Sequence, residues 1–177
     1  VMVPEISLTP QTIFLFRQRY GNTVAVFHSG LSIAERLDEW KRVKRGEASI
    51  AVGTRSAVFA PFEKIGLIVM DEEQEYTYKS ESSPRYHARD VAKFRCAYHK
   101  ALLVLSSATP SIESYYFAEC GRYTLHTLTK RYGQAKLPRV TIIDMNQEIE
   151  QGNTSILSQP LLQALSENIE SGRQSIV

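Results

Sequence analysis

The sequence predicts an α/β protein built on an open parallel sheet flanked by helices. Three observations carry this. Leu67-Ile68-Val69-Met70 and Ala101-Leu102-Leu103-Val104-Leu105 are apolar without polar alternation, as in strands covered on both faces. Strand-like and helix-like stretches alternate along the chain. Each strand-like run ends in a short polar or glycine-containing loop, the edge at which such sheets bind ligands.

The elements follow in order. Val1-Met2-Val3 reads as the end of a strand already under way. Thr9-Pro10 gives an N-cap and a first-turn proline, so a helix carrying Ile13, Phe14, Phe16 and Arg17 is predicted, closed by Gly21. Thr23 to Phe27 is β-branched and apolar, and His28-Ser29-Gly30 is its loop. Ser32 and Glu35 form a capping box. The helix behind it spaces Ile33, Leu37, Trp40 and Val43 on one face, and Gly46 ends it. Its other face mixes Arg36, Lys41, Lys44 and Arg45 with acids, as a solvated surface does. Ser49 to Val52 is a short strand followed by Gly53-Thr54-Arg55-Ser56, and Phe59 to Phe62 turns into the strand before Asp71-Glu72-Glu73. Glu75 to Tyr86 is polar, aperiodic and aromatic, hence a loop. His87 to Tyr98 is helical in Ala88, Val91, Ala92 and Cys96. The apolar strand Ala101 to Leu105 runs into Ser106-Ser107-Ala108-Thr109-Pro110-Ser111, and Ser111 caps a helix from Ile112 to about Cys120.

The pattern loosens between Thr129 and Pro138. Three parts are therefore expected: a first lobe over 1–130, a linker over 131–138, and the opening of a second α/β lobe over 139–177. In the last part Arg139 to Met145 is predicted as a strand. Gln147 to Thr154 is polar, and Ser158-Gln159-Pro160 starts a helix with Leu161, Leu162, Leu165 and Ile169, closed by Gly172. Gln174 to Val177 starts a strand with no room to finish, so an internal piece of a longer protein is expected.

Composition excludes several classes. With 177 residues, 43% apolar and 23% charged, the chain has enough apolar material to bury a core. Its net charge of +2 is too small to argue for nucleic acid, so charge placement must carry that case. Cys96 and Cys120 have no zinc-type spacing, and a Cys96–His99 pair lacks a second pair; both are expected to be buried, inert thiols of a reducing compartment. No signal peptide is expected, and no apolar run of membrane-spanning length occurs in the sequence.

The chemistry concentrates at strand ends. Asp71 and Glu72 follow an apolar strand as Walker-B-type acids do. Taken singly, such an acid pair, a Gly-Thr-Arg-Ser loop or a Ser-Ala-Thr-Pro turn is ordinary. Their order is not. Pro4-Glu5-Ile6-Ser7-Leu8-Thr9-Pro10-Gln11, His28-Ser29-Gly30-Leu31-Ser32, Gly53-Thr54-Arg55-Ser56-Ala57, Asp71-Glu72-Glu73 and Ser107-Ala108-Thr109-Pro110-Ser111 together resemble motifs Ia, Ib, II and III of the PriA family of replication-restart helicases, in superfamily two. Tyr78-Lys79, Arg85-Tyr86-His87-Ala88-Arg89-Asp90, Leu137-Pro138 and Ile143-Asp144-Met145 extend the match over nearly the whole chain.

The resemblance implies a partial RecA-like lobe of an ATP-dependent, 3′-to-5′ DNA helicase that restarts stalled forks. It implies that Asp71 holds magnesium through its water and that Glu72 orients and deprotonates the attacking water. Gln74, Ser107 and Thr109 are the implied couplers. Gln74 departs from the family, which usually has His there; Gln donates and accepts like neutral His but does not titrate near neutrality. DNA contacts are implied for Pro4, Glu5, Ile6, Thr54, Arg55, Ser56, Tyr78, Lys79, Arg85, Tyr86 and His87. Tyr76, Tyr78 and Tyr86 either stack bases or pack under their loop. Arg89 either contacts phosphate or pairs with Asp90 on the helix surface. Implied partners are single-stranded and forked DNA, primosomal proteins and single-strand-binding proteins, in a bacterial, nucleoid-associated cytoplasmic setting without a membrane. No G-x-x-x-x-G-K-[ST] occurs in the chain, so the phosphate loop is missing from it, as are the family's zinc-binding cysteines and second-lobe arginine fingers. The chain alone is therefore expected to be inactive. The competing readings are another superfamily-two translocase and a non-catalytic nucleic-acid-binding or scaffold module.

Overall fold

The computed structural model describes residues 1–4, 10–130 and 138–177. The predicted roles of Glu5 and Ile6, the Thr9 cap and most of the 131–138 linker lie outside the described residues. The chain divides into Val1–His126 and Thr127–Val177.

The first unit is built on parallel pairing. Strands β1 (Val24–Phe27) and β2 (Ile50–Gly53) pair from Val24↔Ile50 to Phe27↔Gly53, and β3 (Leu67–Met70) and β4 (Leu102–Leu105) from Leu67↔Leu102 to Met70↔Leu105. Val1–Val3 lies between the pairs. Met2 bridges Gly53 on one side and Met70 on the other, both in parallel. Its amide donates to the Val69 carbonyl at 2.7 Å, and its carbonyl accepts from the Asp71 amide at 2.9 Å. The order across the sheet is therefore β1, β2, Val1–Val3, β3, β4. From this middle segment the chain crosses to the edge strand β1, steps back to β2 beside Val1–Val3, and then passes to β3 and β4 on the other side. Its connections therefore change direction at Val1–Val3, the kind of switch point at which parallel sheets bind ligands.

Helix α1 (Pro10–Tyr20) brings Ile13 and Phe16 onto Val24, Val26 and Val52. On the other face Val43 of α2 (Ile33–Lys44) joins Ala25, Phe27 and Ala51, and Ala88, Ala92 and Cys96 of α3 (Ala88–His99) join Ile68 and Met70. The capping box of α2 forms as predicted, with Ser32 and Glu35 bonded reciprocally. Gly46 follows at φ +76°, a left-handed position that glycine adopts without steric cost. A further α-helix of this unit, α4 (Ile112–Glu119), is capped by Ser111.

Three expectations change. The predicted two-sided cover holds for β1, which is buried throughout, but not for β3 and β4. Alternate residues face opposite ways, so Ile68 and Met70 meet the α3 layer while Leu67, Leu102 and Val104 remain exposed. On α2 only Val43 is buried; Ile33, Leu37 and Trp40, read as its core face, are exposed. Cys96 is buried as expected, whereas Cys120 is exposed past the end of α4.

The second unit contains α5 (Met145–Glu150) and α6 (Gln159–Glu170). The strand predicted over Arg139 to Met145 is absent. Among the described residues nothing pairs with it, and Val140 and Ile142 are exposed. Instead Asp144 accepts from the Asn146 amide at 2.9 Å and starts α5. Glu148 ties this unit together. Its carboxylate accepts from the Gln159 amide at 2.7 Å, at the start of α6, and from Asn153 Nδ2 at 2.7 Å, and these bonds hold its carboxyl below the ordinary range. Ser158 and Pro160 open α6 as predicted.

Candidate active site

Every predicted motif of the first unit that the structure describes lies at the carboxyl edge of the sheet, and Val1–Val3 sorts them into two groups. Beyond β3 and β4 stand the acids and the Ser106–Ser111 segment. Beyond β1 and β2 stand His28-Ser29 and Thr54-Arg55-Ser56.

On the acid side, Asp71 is half-buried and fixed at three points. Its amide reaches Met2, Ser106 Oγ donates to its Oδ1 at 2.9 Å, and the Tyr78 hydroxyl donates to its carbonyl at 2.7 Å. Glu72 has φ +46°, a left-handed conformation costing a non-glycine residue about 1–2 kcal/mol. That turn aims residues 72 and 74 at each other. Gln74 Nε2 donates to Glu72 Oε2 at 2.8 Å, and Gln74 Oε1 accepts from Ser107 Oγ at 2.6 Å. Ser107 Oγ in turn accepts from the Thr109 amide at 2.9 Å. The three predicted couplers thus form one hydrogen-bonded line ending on Glu72.

Several residues were not singled out by sequence reasoning. Ser106 holds Asp71. Glu73, only 2% exposed, accepts from the Ser111 amide at 2.7 Å and from Arg89 Nη1 at 3.0 Å. Burial opposes its ionisation, but the Ser111 amide and hydroxyl, the Ser114 hydroxyl and Arg89 outweigh it and hold the carboxyl below the ordinary range. Arg89 is therefore neither a phosphate contact nor a partner of Asp90. The only sequence signal for Glu73 is its place in the run Asp71-Glu72-Glu73, and nothing local marks it as buried.

The acids offer hard oxygen donors, which suit magnesium. Among the described residues no group of three or more His, Cys, Asp or Glu side chains converges, so any bound ion draws on one or two carboxylates and completes its shell from water and phosphate.

On the other side lies a cleft of about 560 Å³ lined by His28, Arg36, Arg55, Ser56, Tyr76 and Lys79, among others. A smaller one of about 440 Å³ is lined by Lys79, Arg85, Tyr86 and His87. Neither includes Asp71 or Glu72. Ser56, Lys79 and Arg85 are exposed, as strand contacts must be, whereas Thr54 is buried. Arg55 donates to the Thr77 and Lys79 carbonyls and lies 5.8 Å from the Tyr86 ring centroid, tying the Thr54–Ser56 loop to the aromatic loop. His28 and Arg36, absent from the predicted contact set, share this cleft.

The remaining corrections concern burial. Pro4 is fully buried and offers no surface to DNA. Tyr78 is 1% exposed, packed in the main core with its hydroxyl committed to Asp71, so it supports the acid turn and presents no face to a base. Burial, reinforced by Asp71 and Glu72, pushes its phenol up, which keeps it a donor. Tyr86 is half-buried against Phe59, and Tyr76, which is outside the implied DNA-contact set, is the exposed one. His87 caps α3, its Nδ1 accepting from the Arg89 amide at 3.1 Å.

A family model described as DEAD/DEAH box helicase matches residues 1–116, more than half of the chain and all of this carboxyl edge. The chain belongs to the DEAD/DEAH box helicase family. Its first unit is a partial RecA-like helicase lobe, with parallel strands and flanking helices. The chain is also similar along its whole length to the replication restart protein PriA of Bacillus subtilis, at 48% identity, and of Chlamydia pneumoniae, at 44%. The same protein from Synechocystis is 44% identical. All of this helicase chain is covered in each comparison, but it spans only 22%, 24% and 22% of those relatives. No helix among the described residues is long and apolar enough to cross a membrane.

Proposed function

We propose that this chain is the part of an ATP-dependent DNA helicase that carries the water-activating acids and strand-contact loops of the first lobe, in a protein that restarts stalled replication forks by 3′-to-5′ movement. The observation that carries this is the line Glu72–Gln74–Ser107–Thr109. An acid that takes a proton from water must be held at a fixed angle, and Gln74 holds Glu72 by one oxygen. Glu72 is the base, and Asp71 is the residue that would hold magnesium through water. The ion, when bound, neutralises charge developing on the outer phosphates. Ser107 and Thr109 carry the position of the Ser106–Ser111 segment to Glu72. The groove with Arg55, Ser56, Lys79 and Arg85 takes the phosphates of single-stranded DNA, with Tyr76 and the exposed edge of Tyr86 available to bases.

The match to replication restart proteins supports forked DNA, primosomal proteins and single-strand-binding proteins as partners, and a nucleoid-associated cytoplasmic setting. On this reading 1–130 is the first lobe, 131–138 the linker and 139–177 the start of a second lobe. Zinc, if used, binds outside this chain.

The test is DNA-stimulated ATP turnover by the full-length protein. Glu72→Gln should lower it by roughly 10²–10⁴, the usual contribution of general-base catalysis. Turnover within threefold of the unsubstituted protein would refute the assignment. The chain by itself, without a phosphate loop, should show no turnover above its own Glu72→Gln variant.

A further inference from the structure

We infer that Glu73 and Arg89 are positioning residues that lock the Ser107–Ser111 segment, and through it Glu72, into the geometry for catalysis. This rests on the ATP-hydrolysing reading above. Glu73 lies between the base and its coupler in sequence, yet its side chain goes into the protein. Its Oε1 accepts from the Ser111 amide, and its Oε2 accepts from Ser114 Oγ at 3.0 Å, Ser111 Oγ at 3.2 Å and Arg89 Nη1 at 3.0 Å. Arg89 Nη1 also reaches Ser111 Oγ at 2.9 Å and Ser114 Oγ at 3.0 Å. Three side chains, Arg89 from α3 and Ser111 and Ser114 from the start of α4, thus meet around one buried carboxylate.

The consequence is geometric. Ser107 is held by Gln74, and Ser111, four residues on, is held by Glu73. Adjacent residues of the acid turn therefore grip both ends of one short segment, which cannot shift against Glu72 without breaking a buried, charge-assisted bond. The Glu73 carboxylate also stands at the start of α4, where a negative charge is favoured. Arg89 extends the lock to α3, whose cap His87 bridges back to Lys79 in the aromatic loop. Movement of that loop thus reaches the segment through Arg89. Arg89 Nε is buried without a hydrogen-bond partner, so this guanidinium is held for its geometry at some cost in stability.

The test uses the full-length protein and the near-isosteric Glu73→Gln. With saturating DNA, kcat for ATP should fall about tenfold while KM for ATP stays within twofold. Added to Gln74→Ala, Glu73→Gln should lower kcat less than twofold further, because both substitutions act on Glu72 through Ser107. Fully multiplicative losses would overturn the inference. Hydrogen exchange at Thr109 to Ser114 should accelerate at least tenfold with the β4 amides unchanged, and unchanged exchange there would also overturn it. Ser114→Ala, which removes two hydrogen bonds and no charge, should move both readouts the same way by a smaller factor even if Glu73→Gln folds poorly. If the unsubstituted protein hydrolyses no ATP, the catalytic reading fails, and the exchange result still decides whether Glu73 locks the segment.

Discussion

Tyr78 gives the sharpest prediction, because its ring and its hydroxyl do separable things. The ring is 1% exposed in the core, and the hydroxyl donates to the Asp71 carbonyl at 2.7 Å. Tyr78→Phe keeps the ring and deletes the bond. A net hydrogen bond contributes about 1 kcal/mol, and a carbonyl left partly unpaired adds up to about 1 kcal/mol more, so a loss of about 1–2 kcal/mol is expected. Tyr78→Ala also empties the ring's volume and should cost about 3–5 kcal/mol. Urea denaturation of the two variants beside the parent measures both, and DNA-stimulated turnover reports on the acid turn. The Phe variant should lose turnover by a few-fold at every DNA concentration, because Asp71 is loosened whether or not a strand is bound. A Tyr78→Ala protein as stable as its parent that had lost only its stimulation by DNA would refute this, and would make Tyr78 a stacking surface.

Other consequences are checked more simply. A Cβ on Gly53 would sit 2.1 Å from the Phe27 carbonyl oxygen and 2.9 Å from the Ala57 Cβ, so Gly53→Ala should destabilise the first unit by about 3 kcal/mol, read as a lowered denaturation midpoint. Ser32→Ala breaks a complete capping box and should cost about 1 kcal/mol by the same measurement, with no effect on groove residues. Burial, then Arg89, holds the pKa of His87 below its ordinary value, and its neutral Nδ1 serves as the helix cap. With the folded pKa depressed, the unfolded chain binds the proton first, so this contribution is complete above about pH 6.5 and falls as pH drops toward the folded value. His87→Asn, which caps without titrating, should flatten that part of the stability profile. Gln74 cannot titrate, so DNA-stimulated turnover should gain a step near the histidine pKa in Gln74→His; a strong step already present in the unsubstituted protein would contradict the role given to Gln74.

Sequence alone determined what neighbouring residues decide. The caps at Ser32, Ser111 and Ser158, the helix stop at Gly46 and the burial of Ala88, Ala92 and Cys96 follow from contacts three or four residues apart, which local pattern records. The order of the motifs fixed the family, and with it the roles proposed for Asp71, Glu72 and Gln74. Tertiary structure decided what depends on distant partners. Val1–Val3 becomes the middle of the sheet only because Gly53 and Met70 stand on either side of it. The Arg139 to Met145 stretch has strand composition, but it forms no strand because a ladder needs a neighbour. The aromatic loop shows the limit most clearly. Tyr76, Tyr78 and Tyr86 are alike in sequence, and only packing distinguishes the exposed ring from the strut beneath Asp71. The third acid is the counterpart on the polar side. Beside Asp71 and Glu72 it carries no mark of its own in the sequence, and only the folded chain brings Arg89 and Ser111 to it, 16 and 38 residues away.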